Sequence, residues 1–176
     1  LEARVWAWGR GEESWLVARH IIYGDPNLDE GTEGSPWTRL TEIRSTPIIH
    51  SVSGAQMLIE ATGIDSGGHN THAVYSYCRA HAHAKVLALK GASQYGKPII
   101  GKPSNIDINW RGRTIPNGVK LWPIGTDTAK HLIYGRMRLT QAGPGYVHVP
   151  KALVGTDEFE QMTAARLMPV VVQGKP

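Results

Sequence analysis

Residues 58–69, with the sequence LIEATGIDSGGH, contain the feature that most constrains the fold of this chain. An apolar run ends at Ile64 and is followed by one acid, Asp65, then by serine and two glycines. This pattern, with a helix N-cap at Asn70, predicts a buried strand that ends at Asp65, turns on glycine and enters a helix. Ligand and metal chemistry in α/β sheets gathers at such strand ends. Asp65 is therefore a candidate functional residue, and the alternative is that it merely caps the turn.

The rest of the chain predicts a mixed sheet with helices packed on it, an α/β fold, because a hairpin is followed by strands alternating with helices. Residues 92–117, rich in glycine, proline and polar side chains, predict an extended loop or hairpin. The predicted elements, in chain order, are a hairpin of strands over 1–8 and 14–23, a helix opened by Ser35 and Pro36, a connection over 48–54, a strand over 57–65, a helix over 70–83, strands over 86–89 and 119–122, a helix over 126–139 with Leu132 and Ile133 facing the core, a strand over 146–149, a helix over 157–167 and a strand over 170–172.

Size and composition limit the number of domains and the kinds of site and partner that this chain can have. A chain of 176 residues is long enough for one domain with a core of its own. The single cysteine, Cys78, excludes an internal disulfide and a zinc cluster, and its position on the apolar face of a predicted helix favours a packed core thiol. No apolar run approaches the ~18 residues of a membrane span, so no membrane association is expected. The net charge of +4 is compatible with a polyanionic partner.

Residues 91–97, GASQYGK, match the spacing of a phosphate-binding loop. Pro98 follows in place of the serine or threonine that would hold Mg²⁺, and proline has no N–H to offer a phosphate. The next residues do not have a helical pattern, so no helix N-terminus is predicted for the phosphates. The sequence therefore predicts no ATP site in this chain.

Cationic side chains cluster between residues 90 and 113. A loop that carries so many cations is suited to lie along a phosphate backbone, and the alternative is ordinary solubilising charge. The candidate DNA-binding residues are Lys90, Lys97, Lys102, Arg111 and Arg113.

Six segments, in the same order along the chain, together resemble the large terminase subunit of tailed phages of the lambda-like type. No single segment is specific, but all six in order cover nearly the whole chain. They are WAWGRGEESWLV (6–17), IDSGGH (64–69), KGASQYGKP (90–98), LWPIGTDTAKHLIYGRMRL (121–139), PGYVHVP (144–150) and EFEQMTAARL (158–167).

The resemblance implies that residues 1–176 are a single nuclease domain with an RNase H-like fold, without the ATPase motor of that family. Such a nuclease hydrolyses phosphodiesters of double-stranded DNA with two Mg²⁺ or Mn²⁺ ions held by carboxylates. The implied partners are the terminase small subunit and the portal or procapsid, in the cytoplasm of the bacterial host. By the same resemblance, Asp65 matches the acid at the end of the fourth strand of the RNase H order and is expected to be a metal ligand and the main catalytic residue.

Two further acids of the family pattern are expected outside this chain, one on a strand upstream of Leu1 and one on a helix downstream of Pro176. The domain is therefore expected to be cut at both ends, and weak or no nuclease activity is expected of the 176 residues alone. Asp127 is the best substitute metal ligand and catalytic acid, and its alternative role is an N-cap. His69 is a candidate ligand or phosphate contact, or a turn histidine with no role.

Lys90 ends a strand that is predicted to neighbour the strand of Asp65. Its ammonium group is a candidate contact to the scissile phosphate, and the alternative is a solvated lysine at the end of a strand. Two rival functions remain open: another RNase H-like nuclease of the resolvase or integrase type, and a non-catalytic module that docks DNA, portal or small subunit.

Overall fold

The computed structural model describes residues 1–110, 112–156, 159, 160 and 164, and in this part of the chain it confirms a mixed α/β fold. The strands are β1 (Glu2–Trp8), β2 (Ser14–Ile21), β3 (Ile48–Ile49), β4 (Gln56–Met57), β5 (Thr62–Asp65), β6 (Val86–Gly91), β7 (Ser104–Trp110), β8 (Arg113–Ile124) and β9 (Val147–His148). The helices are α1 (Pro36–Ser45), α2 (Thr71–Ala80) and α3 (Thr126–Arg136), with 3-10 turns at Arg10–Glu12 and Ala82–Ala84.

The strands form one four-stranded sheet and two smaller ones. The largest has the order β5-β6-β8-β7, in which β5, β6 and β8 are parallel and β7 runs antiparallel to β8. The predicted hairpin is present as the antiparallel pair β1 and β2, and β9 is added parallel to β2. A short antiparallel ribbon of β3 and β4 occupies part of the segment that was predicted as a connection.

The core lies between α2 and one face of the four-stranded sheet. Val74, Tyr77 and Cys78 of α2 are buried, and their helical spacing places them on one side of the helix. Ala88 of β6 and Ile108 of β7 are among the buried residues of the same cluster. Burial raises the pKa of the Cys78 thiol to about 12, so the group stays protonated and the predicted core thiol is confirmed.

Helix α1 begins at the predicted position, because Pro36 occupies its first turn and the preceding residue is extended. The Ser35 hydroxyl does not cap the helix, but donates instead to the carbonyl of Leu28. The indole N–H of Trp37 donates to the carbonyl of Pro26 at 2.8 Å, and its ring stacks on Tyr77. The polar segment before α1 is thus held against the core.

The strand that ends at Asp65 is shorter and less buried than predicted. Pairing covers only Thr62–Asp65, and β5 lies at the edge of its sheet with β6 as its neighbour. Leu58, in the apolar run before it, is 60% exposed. An apolar run of this kind is typical of a strand covered on both faces, but the run alone cannot show how many neighbours a strand has.

The predicted core face of α3 is wrong. The helix has no buried residue, and Leu132 and Ile133, predicted to face the core, are 40% and 42% exposed. Periodicity shows which residues share a face, but not whether another element covers that face. For residues 92–117 the hairpin, one of the two predicted alternatives, is confirmed, because β7 and β8 pair antiparallel from Ser104 onwards. The predicted strand over 170–172 and most of the predicted helix over 157–167 lie outside the described residues.

A network of polar side chains joins the segment before α1 to helices α1 and α2. The Glu30 carboxylate accepts a hydrogen bond from Thr41 at 2.5 Å and pairs with the imidazole of His81 at 2.6 Å. Arg44 of α1 donates to the Thr62 hydroxyl at 3.0 Å and so reaches β5. The partial burial of Glu30 would raise its pKa, but the hydrogen bonds from Thr41 and His81 and nearby positive charge outweigh burial and lower it.

We expect Glu30→Gln to destabilise the fold at pH 7 by about 1 kcal/mol, since it weakens a charge-assisted pair that is only partly exposed. A carboxyl whose pKa falls on folding stabilises the folded state above its ordinary value of 4.5 and loses this contribution as the pH falls below it. The difference between the variant and the parent should therefore shrink on acidification from pH 7 to pH 4. Urea unfolding across this range measures it.

Glu60→Gln is the matched control, because the Glu60 side chain is 85% exposed and lies 3.7 Å from Lys85. Its effect should be within about 0.5 kcal/mol of zero at every pH. An equal loss of stability in both variants would contradict the structural role of the Glu30 pair.

Candidate functional site

Asp65 lies in a turn that is stabilised by hydrogen bonds of its own carboxylate and of the residues that follow it. Its Oδ1 accepts the backbone N–H of Gly67 at 3.0 Å, while the side chain as a whole is exposed. Ser66 is 2% exposed, and both its N–H and its hydroxyl donate to the carbonyl of Leu89 on β6 at 2.8 Å. Among the described residues, the Gly67 N–H is the only hydrogen-bond partner of the Asp65 carboxylate. The turn therefore positions an accessible carboxylate.

The three parallel strands end at the same edge of the sheet, and Asp65 belongs to that edge. In the register of the sheet, Asp65 pairs with Leu89 of β6, and Leu89 pairs with Trp122 of β8. The preceding layer, Ile64 and Ala88, faces the core under α2. Because side chains alternate along a strand, Asp65 points to the face of the sheet opposite α2.

Lys90 is confirmed on the strand next to that of Asp65, but it is one residue beyond Leu89, the partner of Asp65. Alternation then places Lys90 on the opposite face of the sheet from the carboxylate. His69 is exposed in the turn before α2 and makes no hydrogen bond within the part of the chain that the structure describes. The structure thus brings neither side chain against the Asp65 carboxylate.

Three of the predicted DNA-binding residues lie around one open cavity of about 540 Å³. Lys90, Lys97 and Lys102 line it together with Ser93 and Gln94. None of the three lysines has a carboxylate partner within the described ranges. We call this cavity the lysine groove; its uncompensated positive charge is suited to a phosphate-bearing ligand.

Leu121 and Pro123 of β8 add an apolar lining to the lysine groove. Arg113 lies at the other end of the β7-β8 hairpin, where it pairs with Trp110. Ser104, which lines the groove, is six residues and therefore about 20 Å along β7 from that end. Arg111 lies outside the described residues. The predicted cationic segment is therefore divided by the hairpin, and Arg113 is not part of the groove.

The segment that carries Lys97, which lines the lysine groove, is hydrogen-bonded to the start of α3. The Asp127 carboxylate accepts the N–H of Gly96 at 2.6 Å, and the Thr128 hydroxyl donates to the carbonyl of Lys97 at 2.6 Å. The hydrogen bond from Gly96 lowers the pKa of Asp127, helped by nearby backbone N–H groups and His131. Asp127 thus anchors the segment that carries Lys97.

Gly125 allows that segment to approach the strand end closely. Its N–H points at the carbonyls of Pro98 and Ile99, at 3.1 and 3.2 Å. A Cβ on Gly125 would lie 2.6 Å from the Pro98 carbonyl oxygen, and closer still to that of Lys97. The sequence reasoning missed Gly125 and Thr128; the only local signal was the GTDT pattern that opens a helix.

The described residues fit Mg²⁺ or Mn²⁺ only in part. Asp65 offers one hard carboxylate oxygen not used in the turn, which is the ligand type these ions prefer. Within the described part of the chain, no three His, Cys, Asp or Glu side chains come together as a metal site. These residues therefore fit a role as part of a metal site, and not a complete two-metal centre.

No helix in the described part of the chain is both long and apolar enough to cross a membrane.

Comparison with known proteins gives a consistent assignment. The family described as "Terminase large subunit gpA, endonuclease domain" matches residues 1–176. The terminase large subunit of Escherichia phage lambda is 39% identical over 180 residues, which cover 99% of this chain and 26% of that protein. The terminase large subunit of Enterobacteria phage P21 is 36% identical over 141 residues, which cover 78% and 19%. The chain thus spans about a quarter or less of these curated relatives, and no solved structure matches significantly.

Proposed function

The chain belongs to the endonuclease-domain family of the terminase large subunit, and from this premise we propose that it is the part of a packaging terminase that cuts concatemeric viral DNA by metal-dependent phosphodiester hydrolysis. The observation that carries the proposal is the accessible carboxylate of Asp65 at the C-terminal edge of three parallel strands. Catalytic and metal-binding groups of α/β sheets gather at this edge.

We further propose that the domain is RNase H-like. The antiparallel hairpin of β1 and β2, followed by parallel strands β5, β6 and β8, supports this order. Strands β1 and β5 are each at the edge of a sheet among the described residues. One further strand between these edges, from a part of the protein outside the described residues, would join the two sheets into the continuous sheet that such a fold requires.

Asp65 would hold a Mg²⁺ or Mn²⁺ ion through its free oxygen, and the remaining ligands would come from groups outside the described residues. When bound, such an ion activates water as a nucleophile and stabilises the charge on the leaving oxygen. The role of the described residues is to position the carboxylate, because the Gly67 N–H and the buried Ser66 hold the turn in one geometry. Preorganised ligands of this kind set the position of an ion without reorganisation.

The lysine groove would bind the phosphates of the DNA near the C-terminal ends of β6 and β8, with Lys90 on the face of the sheet opposite Asp65. Its three lysines attract a polyanion but carry no information about base sequence. In the complete protein, the terminase small subunit and the portal or procapsid would be the protein partners, in the host cytoplasm. These partners are proposed from family membership.

The test is nicking of supercoiled plasmid by this chain, and by the same domain extended at both ends to include the flanking sequence of the protein. We expect Mn²⁺-dependent nicking by the extended domain, a rate at least about tenfold lower for the 176 residues alone, and loss of nicking in both when EDTA removes the metal. Nicking that persists unchanged in EDTA would contradict the metal-dependent mechanism.

A second candidate function, a non-catalytic module that docks DNA or a packaging partner, is favoured by one observation. Within the described part of the chain no three His, Cys, Asp or Glu side chains come together, and a site with so few carboxylates holds two ions poorly. This candidate predicts DNA binding by both forms of the domain and nicking by neither.

A further inference from the structure

One aromatic ring beside the lysine groove is largely exposed to solvent. Tyr95 is 72% exposed, and its neighbours Gln94 and Lys97 line the groove. The ring touches the imidazole of His131 on α3 edge-on, at 6.3 Å between centroids and 72° between planes. Since the residue is 72% exposed, most of the tyrosine ring is accessible despite this contact.

The segment that carries Tyr95 is held at several points. Gly96 is fixed by Asp127, and Lys97 by the Thr128 hydroxyl. At the start of the segment, the Ala92 N–H donates to the carbonyl of Ile124 at 2.8 Å. The backbone that carries this exposed tyrosine is thus held in place, so little backbone entropy is left to lose when a ligand binds.

A concave groove lined with lysines, with an exposed ring beside it, is an arrangement that binds single-stranded nucleic acid. Lysines follow the phosphates, while an aromatic side chain stacks on an unpaired base. In a duplex both faces of each base are covered by its neighbours, so a protein ring finds no face to stack on. Leu121 and Pro123 provide an apolar lining against which a sugar or base can pack.

We propose that the lysine groove binds a single, unpaired DNA strand, with phosphates on Lys90, Lys97 and Lys102 and one base stacked on Tyr95. This inference rests on the proposed function and deepens it by naming the form of DNA that the groove takes, a locally separated strand. Tyr95 is a binding residue in this scheme, not one that takes part in hydrolysis.

The test is fluorescence anisotropy of a labelled oligothymidine of about 12 nucleotides, within the usual site size, measured against the same length of duplex. EDTA is present throughout, so the result does not depend on metal or on cleavage. We expect Tyr95→Ala to weaken binding of the single strand about 5- to 100-fold and to leave duplex binding within about twofold of the parent. Tyr95→Phe should restore the single-strand affinity, because it keeps the stacking face.

Tyr23→Ala is the matched control, since Tyr23 is 87% exposed but lies between β2 and α1, where no neighbouring residue lines the groove. It should bind both DNA forms as the parent does. A separate variant, Lys97→Gln, should reduce the slope of log affinity against log salt by about 0.7 for a single strand, whereas Tyr95→Ala should not change the slope.

Either of two results would overturn the inference. Unchanged single-strand affinity in Tyr95→Ala, with a far-UV spectrum like the parent's, would show that no base stacks there. Equal losses for single strand and duplex would show that the groove follows a duplex backbone instead. The binding assay contains EDTA and involves no cleavage, so its results hold even if the domain does not nick plasmid in Mn²⁺. The two proposals can therefore be tested separately.

Discussion

Replacing Asp65 by asparagine is expected to reduce Mn²⁺-dependent nicking by the extended domain about 100-fold or more. A metal-bound nucleophile and leaving group are worth several kcal/mol to the transition state, and each 1.4 kcal/mol is about a tenfold change in rate. Asparagine keeps the oxygen that accepts the Gly67 N–H but removes the charge that holds a cation. The turn should therefore survive, with stability within about 0.5 kcal/mol of the parent.

Asp107→Asn is the matched control for this substitution. Asp107 is exposed, and its Oδ1 accepts the backbone N–H of Asn117 at 2.9 Å within the β7-β8 hairpin. The same chemical change is thus made at an acid with the same kind of backbone partner, away from the strand edge of Asp65. Nicking by Asp107→Asn should match the parent.

Calorimetric titration with Mg²⁺ gives a second readout, in which Asp65→Asn should lower the affinity of the extended domain. Nicking at the parental rate by Asp65→Asn would show that this carboxylate is not a metal ligand. Asp127 would then be the first alternative to examine, although one of its oxygens already binds the Gly96 N–H.

Gly125→Ala is expected to have the largest structural effect of any single methyl group added near the groove. The new Cβ would lie 2.6 Å from the Pro98 carbonyl oxygen, and the atoms it meets are backbone, which cannot rotate away as a side chain can. Overpacking of this kind costs about 1–3 kcal/mol, which lowers the melting temperature of a domain of this size by about 2–10 °C.

The same substitution should also weaken DNA binding, because the segment that carries Lys97 must move away from α3. Loss of one phosphate contact corresponds to a lower salt dependence of binding, measured by anisotropy at several salt concentrations. Thermal melting followed by circular dichroism measures the stability change.

Gly135→Ala provides the control, since Gly135 lies in α3 and a Cβ there would meet nothing within 4 Å. Replacing an unrestrained helical glycine by alanine stabilises by about 0.5–1 kcal/mol. The two alanine variants should therefore shift the melting temperature in opposite directions. A Gly125→Ala protein as stable as the parent would contradict the close approach of this segment to β8.

Much of the fold followed from local patterns. The hairpin of β1 and β2 follows from residues that alternate on either side of a glycine turn, and the start of α1 follows from Pro36. Strand β6 and the neighbouring position of Lys90 were also predicted. These features depend on residues close together in sequence, so their physical causes are visible in the sequence itself.

The candidate site was predictable only in outline. The position of Asp65 between a strand and a glycine turn follows from residues 58–69, but the sequence does not tell whether β5 is an edge strand. The faces of α3 were predicted wrongly, since Leu132 and Ile133 have the spacing of a buried stripe and are partly exposed in the structure. Periodicity reports which residues share a face, and a neighbouring element decides whether that face is covered.

The sequence by itself determined the α/β class, an acid at the end of a strand, and a lysine-rich segment after the next strand. Tertiary structure alone decided that three of the five cations share one groove, that Arg113 lies apart from it, and that Lys90 and Asp65 face opposite sides of the sheet. It also gave Asp127 its role, through a hydrogen bond to a residue 31 positions earlier. Contacts between segments so far apart depend on how strands pair and stack, and no local pattern of residues specifies that pairing.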